Sequence, residues 1–309
     1  MNIVIPDDYQ NCVTSLACYQ KLANHQVTVY NDTARSTTDL VARFKDAHAI
    51  VLTRERTRIT DELLAQLPKL KLISQTGKVA NHIDMEACKK HGVTVMEGSG
   101  SGAATAELGM LLILSSLRRF TDEIERMKNG QWQGFVGRQL QGKTLGVLGF
   151  GRIGEQICQL GLAFGAKPLV WGRPSSVSKA AGKGFAVAES REAFFKTCDI
   201  ISVQLRLSKE TQNYVTAADL ALMKPDAIFV NTSRAELVEE GALYNALKLG
   251  HPGFAAVDVY EEEPLIGIRH PLQDLPNCLC SPHIGFVEHD NYEAYYGTAF
   301  DNINTFAKS

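Results

Sequence analysis

Three residues able to do chemistry stand just past apolar, strand-like runs in the second half of the chain. Arg234 follows AIFVNTS, Glu263 lies in DVYEEEP and His283 lies in CSPHIG. A guanidinium holds a carboxylate bidentately, an imidazole exchanges a proton near neutral pH, and a carboxylate orients and charge-tunes that imidazole. In an open α/β sheet, positions just beyond the strands' carboxyl ends face the ligand crevice. Each residue has a plainer reading as well. The chain has eight histidines, Glu261–Glu263 reads as a solvated acidic run before Pro264, and Arg-Ala-Glu-Leu reads as an ordinary loop.

A second constellation lies upstream, in GVLGFGRIGEQICQLGLAFGAK. Gly149, Gly151 and Gly154 form G-x-G-x-x-G between an apolar run and a helical pattern, with Arg152 and Ile153 between the last two glycines. That spacing lets the chain turn tightly, lets a pyrophosphate approach the backbone, and seats the helix close to the strand with its free N–H groups toward the phosphates. An acidic residue that accepts from the adenosine ribose is expected about 20 residues later. LVWGRPSS stands there instead, with Gly172, Arg173, Ser175 and Ser176. A carboxylate would repel a ribose 2′-phosphate, whereas Arg173 can pair with it and the serines can donate to it. Arg206, in SVQLRLS, offers a second positive charge. The pattern predicts NADP(H) as the preferred cofactor with NAD(H) possible; the alternative is that both arginines are solvated surface residues.

These residues need a scaffold. In the first hundred residues NIVIP, QVTVY, AIVLT, LKLIS and VTVME read as strands, with helical stretches such as TDELLAQL and HIDMEACKKHG between them. The small-residue linker GSGSGAATAELG then feeds a helix ending near Arg119. From Thr144 a denser series follows, in which TLGVLGF, KPLVW, AVA, DIISVQL, AIFVNTS, AAVDV and CLCSP are the strand candidates. That density is that of a doubly wound nucleotide-binding domain. The terminal stretch HDNYEAYYGTAFDNINTFAKS reads as an amphipathic helix with Ala294, Phe300, Ile303 and Phe306 on its buried face.

The 309 residues suffice for two domains, and a formal net charge of −2 gives no reason to expect nucleic acid or an anionic membrane as partner. MNIVIPDDYQ reads as a first strand rather than a signal peptide, and ELGMLLILSSL is too short to span a bilayer comfortably. Seven cysteines include no C-x-x-C pair, and Cys278 and Cys280 are expected on opposite faces of a strand. A reduced cytoplasmic protein without metal is the expectation.

Taken together and in order, GKTLGVLGFGRIG, MKPDAIFVNTSR, AAVDVYEEEPL and SPHIG resemble the D-isomer-specific 2-hydroxyacid dehydrogenases, and the resemblance runs over essentially the whole chain. It implies an α/β fold of two Rossmann-like, doubly wound parallel-sheet domains with a cleft between them. The substrate domain would comprise residues 1–101 plus 285–309 and the dinucleotide domain residues 102–284. The implied reaction converts a 2-oxoacid, of glyoxylate or hydroxypyruvate type, into a D-2-hydroxyacid. His283 would be the proton donor or acceptor, Glu263 its partner, and Arg234 the clamp on the substrate's oxygens. Thr232 and Asp258 would sit at the nicotinamide, and main-chain N–H groups around Lys78 and Val79 would receive the substrate carboxylate. The helix after residue 101 would take part in a homodimer.

Rival readings are an NAD-linked 3-phosphoglycerate dehydrogenase, weakened by the neutral Gly172 and by the lack of room for a further domain, and an NAD(H)-binding corepressor. The sequence departs from the family at Lys78, Asn81 and His82 in the substrate loop, at Ala235 and Glu236 after the arginine, and at Gln204 and Arg206 where H-x-P is usual. Arg54 and Trp132 are candidates for the pocket mouth, each with a structural reading beside it.

Overall fold

A computed structural model describes residues 1–308. The chain forms two compact units, one of Met1–Ser101 together with the segment from Glu288 onward, the other of Gly102–Val287. The return falls at Glu288 rather than at 285, for a local reason. The N–H groups of Ile284 and Gly285 donate to Asp258 at 2.9 and 2.8 Å, which ties this stretch to the second unit.

In the first unit β1 (Asn2–Ile5), β2 (Gln26–Val29), β3 (Ala49–Leu52), β4 (Leu72–Gln75) and β5 (Thr94–Glu97) pair in the order β2-β1-β3-β4-β5, all in parallel. β3 and β4 are buried along their whole length, as strands covered on both faces must be. One face carries a core of Phe44, Ile50, Leu52, Leu63, Leu67 and Ile73. The C-terminal helix His289–Phe306 packs on the sheet, and Ser74 donates to the Ala299 carbonyl at 2.9 Å. Its buried stripe is Tyr292, Tyr296, Ala299, Phe300 and Ile303. Ala294 is exposed, contrary to expectation, because the tyrosines take the inner face. The Tyr296 hydroxyl satisfies itself against Thr53 at 2.6 Å, so a residue with a polar tip can lie in the core.

The second unit has a seven-stranded parallel sheet among the described residues. Its strands are β6 (Thr144–Leu148), β7 (Lys167–Trp171), β8 (Ala186–Val187), β9 (Ile200–Val203), β10 (Ile228–Asn231), β11 (Phe254–Val257) and β12 (Cys278–Cys280). Their order, β12-β11-β10-β9-β6-β7-β8, reverses direction at β6, the switch point at which doubly wound sheets bind ligands. Alternation along β10 feeds both faces: Phe229 joins a core with Phe194, Phe195 and Leu220, while Ile228 and Val230 join one with Ile113, Leu145, Val147 and Ile157.

Both sheets therefore have helices on their faces, as the fold class requires. On β12 the expectation of opposed cysteines fails. The two sulfurs lie 3.8 Å apart, because the side-chain period of a strand is two and residues i and i+2 share a face. Among the described residues no helix is long and apolar enough to cross a membrane, and no group of three or more His, Cys, Asp or Glu side chains could hold a metal.

Candidate active site

Three neighbouring strands deliver the reactive side chains. β10, β11 and β12 run parallel with Asn231 opposite Val257 and Val257 opposite Cys280. Arg234, Glu263 and His283 each follow the carboxyl end of one of them. Glu263 and His283 meet: the imidazole Nδ1 lies 2.5 Å from Glu263 Oε2, and the two side chains are 26% and 30% exposed, open enough to reach a ligand. The other Glu263 oxygen accepts the Tyr260 N–H at 2.9 Å, so the carboxylate cannot turn without losing a backbone bond. Phe286 sets its ring edge-on to the imidazole at 5.6 Å. Arg234 is half-buried; its Nη1 donates to the Ser233 carbonyl at 2.6 Å and its own carbonyl accepts from Asn231 at 2.8 Å.

His283 sits at φ +51°, a left-handed conformation rare for a residue with a Cβ. The turn that holds it is built around Asp258, which is completely buried. Asp258 accepts from Ser281 Oγ at 2.6 Å, from Ile284 N–H at 2.9 Å and from Gly285 N–H at 2.8 Å. Burial pushes its carboxyl above the usual aspartate range, against the pull of those donors. Asp258 thus holds the histidine turn through both of its carboxylate oxygens. Tyr260 adds a strut, its hydroxyl donating to the Ser281 carbonyl at 2.9 Å. Sequence reasoning missed Tyr260 and Ser281 as supports; their closeness to Glu263 and His283 in the chain was the available signal.

The glycine turn fits a dinucleotide sterically. A Cβ on Gly149 would lie 2.7 Å from the Gln204 carbonyl oxygen, and one on Gly154 would lie 2.3 Å from the Gly149 oxygen. A Cβ on Gly151 would meet nothing within 4 Å, so the second glycine faces open space at the N-terminus of the helix Arg152–Ala163. Main-chain N–H groups and the helix dipole there favour a pyrophosphate. Arg152 is exposed and Ile153 half-buried. Thr232 is buried and accepts from Gln204 Nε2 at 3.1 Å.

Gly172 has φ +157° and packs against Gly149, so a backbone requirement already explains why no acidic residue stands there. Arg173 and Ser175 are exposed beside it, and so is Arg206 after β9. The Glu210 carboxyl is held below its usual range by a hydrogen bond from Ser208, with a smaller contribution from the charge of Arg173.

The expected substrate loop follows β4 in the first unit. Gly77 has φ +118°, and Lys78 and Val79 come next. Lys78 Nζ pairs with Glu97 Oε2 at 2.8 Å, and the Val79 N–H donates to Glu97 Oε1 at 2.7 Å. The replacement His82 is buried, with Nε2 3.2 Å from Gln75 Oε1, and Gln75 in turn donates to the Arg54 carbonyl at 2.8 Å. Arg54 has φ +53° and lies over the Tyr295 ring at 5.4 Å. Trp132 is 75% exposed. Glu97 and Gln75 escaped sequence reasoning, since neither belongs to a motif.

A glycine turn at a sheet reversal, with a carboxylate-held imidazole past adjacent strands, defines an NAD(P)-dependent dehydrogenase acting on a hydroxyacid or oxoacid. Residues 110–285 match the family model described as "D-isomer specific 2-hydroxyacid dehydrogenase, NAD binding domain". The chain belongs to the D-isomer-specific 2-hydroxyacid dehydrogenase family. It is 34% identical to the glyoxylate reductase of Thermococcus litoralis over 87% of this chain and 83% of that one. A solved structure described as phosphoglycerate oxidoreductase from Vibrio cholerae O395 is 50% identical, with a TM-score of 0.97 over 100% of this chain and 99% of that one. One described as a putative D-3-phosphoglycerate dehydrogenase from Ralstonia solanacearum is 47% identical, with a TM-score of 0.96 over 99% and 94%. The chain spans about half the length of the D-3-phosphoglycerate dehydrogenases of Methanocaldococcus jannaschii and Bacillus subtilis, at 47% and 45%.

Proposed function

We propose that this dehydrogenase acts on a small D-2-hydroxyacid with a second anionic group, of the 3-phosphoglycerate type, and that Arg234, Glu263 and His283 carry the chemistry. The likeness over nearly the whole chain, at 47% and 50% identity, to structures bearing the phosphoglycerate name carries the substrate reading. It reverses the order of preference drawn from sequence, in which glyoxylate or hydroxypyruvate came first. That reading stays as the runner-up, favoured by a specific observation: the glyoxylate reductases match over most of their own length, 83% and 81%.

With Nδ1 engaged by Glu263, the Nε2 of His283 is left to give a proton to the carbonyl oxygen or take one from the hydroxyl. Arg234 holds the substrate carboxylate and the oxygen on which negative charge develops, where a fixed donor lowers the barrier more than water would. Lys78 and Val79 present main-chain N–H groups to the carboxylate. Asp258 acts through the turn that fixes His283. A nicotinamide dinucleotide, when bound on Gly149, Gly151, Arg152, Ile153 and Gly154 with Thr232 beside the ring, supplies or accepts the hydride. We assign NADP(H) as preferred, on Arg173, Ser175 and Arg206. A homodimer formed through the segment after residue 101 is supported by its exposed apolar side chains Leu111, Phe120, Met127 and Val136.

The test is a spectrophotometric panel of 3-phosphohydroxypyruvate, hydroxypyruvate, glyoxylate, pyruvate and phenylpyruvate, each with NADH and NADPH. The highest kcat/KM on 3-phosphohydroxypyruvate supports the proposal. A higher value on an unphosphorylated acid transfers it to the runner-up, and no turnover on any 2-oxoacid overturns both.

A further inference from the structure

The loop assigned above to the substrate carboxylate already holds a carboxylate belonging to the chain. β5 ends at Glu97, where the backbone lies flush against the loop. The Gly98 N–H donates to the Gly77 carbonyl at 2.9 Å, and a Cβ on Gly98 would come within 2.8 Å of the Gly77 nitrogen. Asn302 fixes the same point from the C-terminal helix, donating to the Glu97 carbonyl at 3.2 Å. From this anchored backbone the Glu97 side chain reaches onto the loop, one oxygen taking the Val79 N–H at 2.7 Å and the other the Lys78 ammonium at 2.8 Å. Among the described residues the Lys78 N–H has no protein acceptor. The side chains of Lys78 and Glu97 are 69% and 39% exposed, so the contact is wet and the carboxylate can leave while its backbone stays.

We propose that Glu97 is a specificity-determining residue, an internal occupant of the Val79 N–H that the substrate carboxylate must displace. The inference rests on the assignment of the Lys78–Val79 loop to the substrate. One N–H cannot serve two carboxylates at full strength, and two anions at one donor repel. An incoming carboxylate meets the open Lys78 N–H first, takes the Val79 N–H from Glu97, and shares the Lys78 ammonium. Glu97 thereby raises the KM of every 2-oxoacid without touching the reacting carbon. Acids that bring a second anion for Lys78 recover most from the exchange, which matches the substrate class proposed above.

Glu97→Gln tests this, because the amide can still accept from Val79 but carries no charge. KM for glyoxylate and for 3-phosphohydroxypyruvate should fall about tenfold, the worth of one charge-assisted hydrogen bond, with kcat within about twofold. KM for the cofactor and Tm should not move. Glu97→Asp, one methylene shorter but still charged, should lower KM by less. Lys78→Met is the companion variant, and oxalate, which does not react, is the binding probe. Lys78→Met should weaken oxalate and raise KM, while Glu97→Gln should tighten oxalate. If Lys78→Met weakens oxalate but folded Glu97→Gln leaves KM and oxalate affinity unchanged or weaker, Glu97 only builds the loop and the proposal fails with the substrate assignment intact. If neither variant alters oxalate affinity, the assignment of the loop fails, and the proposal with it.

Discussion

The glycine turn after β6 and the loop after β4, the two places proposed to receive an anion, are built by different means. At the turn, backbone sets the geometry. The atom nearest a Cβ on Gly149, and likewise on Gly154, is a carbonyl oxygen that no rotamer change can move. At the loop, side chains set it. The nearest obstacle to a Cβ on Gly77 is the end of the Arg54 side chain, and Glu97 holds Lys78 and Val79 through exposed charges. A receptor made of backbone is rigid and takes any dinucleotide pyrophosphate. A receptor trimmed by side chains can be retuned one residue at a time, which is what the proposed role of this loop in selecting among 2-oxoacids requires.

The largest effect should come from removing chemistry without touching backbone. His283→Asn is the cleaner substitution, since asparagine tolerates the left-handed conformation at φ +51° better than alanine. We expect kcat to fall roughly 10³-fold, within the range for losing a general acid–base group, with cofactor affinity and Tm unchanged. Stopped-flow and steady-state rates measure this; a kcat within tenfold of the parent would remove His283 from the mechanism.

The glycines break or sharpen the contrast directly. Gly154→Ala puts a methyl 2.3 Å from the Gly149 carbonyl oxygen and should lower stability by about 1–3 kcal/mol while weakening the cofactor. Gly151→Ala adds a methyl where nothing lies within 4 Å, at an ordinary φ of −84°. Its Tm should stay put while cofactor affinity falls, because the methyl enters space that the pyrophosphate needs. Thermal unfolding beside cofactor titration separates the two. Equal losses of Tm would show that the turn is a folding device and that its openness at Gly151 has no bearing on binding.

Arg173→Ala is a side-chain change at the edge of the backbone-built receptor. It should raise KM for NADPH about tenfold and leave KM for NADH nearly alone, since a 2′-phosphate is the only group it is proposed to pair with. Equal effects on both cofactors would assign Arg173 to the solvated surface. Gly172 cannot decide the matter, because its φ of +157° favours glycine whichever cofactor binds.

The same distinction between backbone and side chain explains what could be read in the sequence. The strand candidates of both units became strands, and the glycine turn sits at the sheet reversal, because periodicity and glycine spacing record main-chain geometry. Glu263 and His283 were legible through their places after strands, and they meet. Glu97 was not: one glutamate at a strand end carries no pattern, and its partners Lys78 and Val79 become neighbours only after β4 and β5 pair. The motif marks Asp258 as a nicotinamide contact, and the fold adds what the motif does not carry, that both its oxygens accept from the 281–285 turn. The inner face of the last helix was misassigned at Ala294 for a similar reason. Tyr292 and Tyr296 look amphipathic in sequence until their hydroxyls find partners.

A side-chain device that serves only the scaffold gives the smallest effect and completes the contrast. Arg191 grips Asp219 with two bonds of 2.7 and 2.6 Å and lies 4.5 Å over the Tyr214 ring, while Asp219 caps its own helix through Thr216. Burial pushes the Asp219 carboxyl up, but Arg191 and the Thr216 donors outweigh it and hold the group below the usual aspartate range. A carboxyl depressed by folding stabilises above its unfolded pKa, and the contribution is lost as pH falls through the folded one. Arg191 is 36% exposed, so solvent screening limits the pair, and Arg191→Met should cost about 1 kcal/mol at pH 7. The gap between parent and variant should close as pH falls below about 4, once Asp219 is protonated in both. Urea unfolding across that range measures it, with cofactor affinity at pH 7 as the control. A gap that persists at low pH would mean that Arg191 acts by packing on Tyr214 instead of by charge. A loss of cofactor affinity would mean that the scaffold and the backbone-built receptor are not energetically separate.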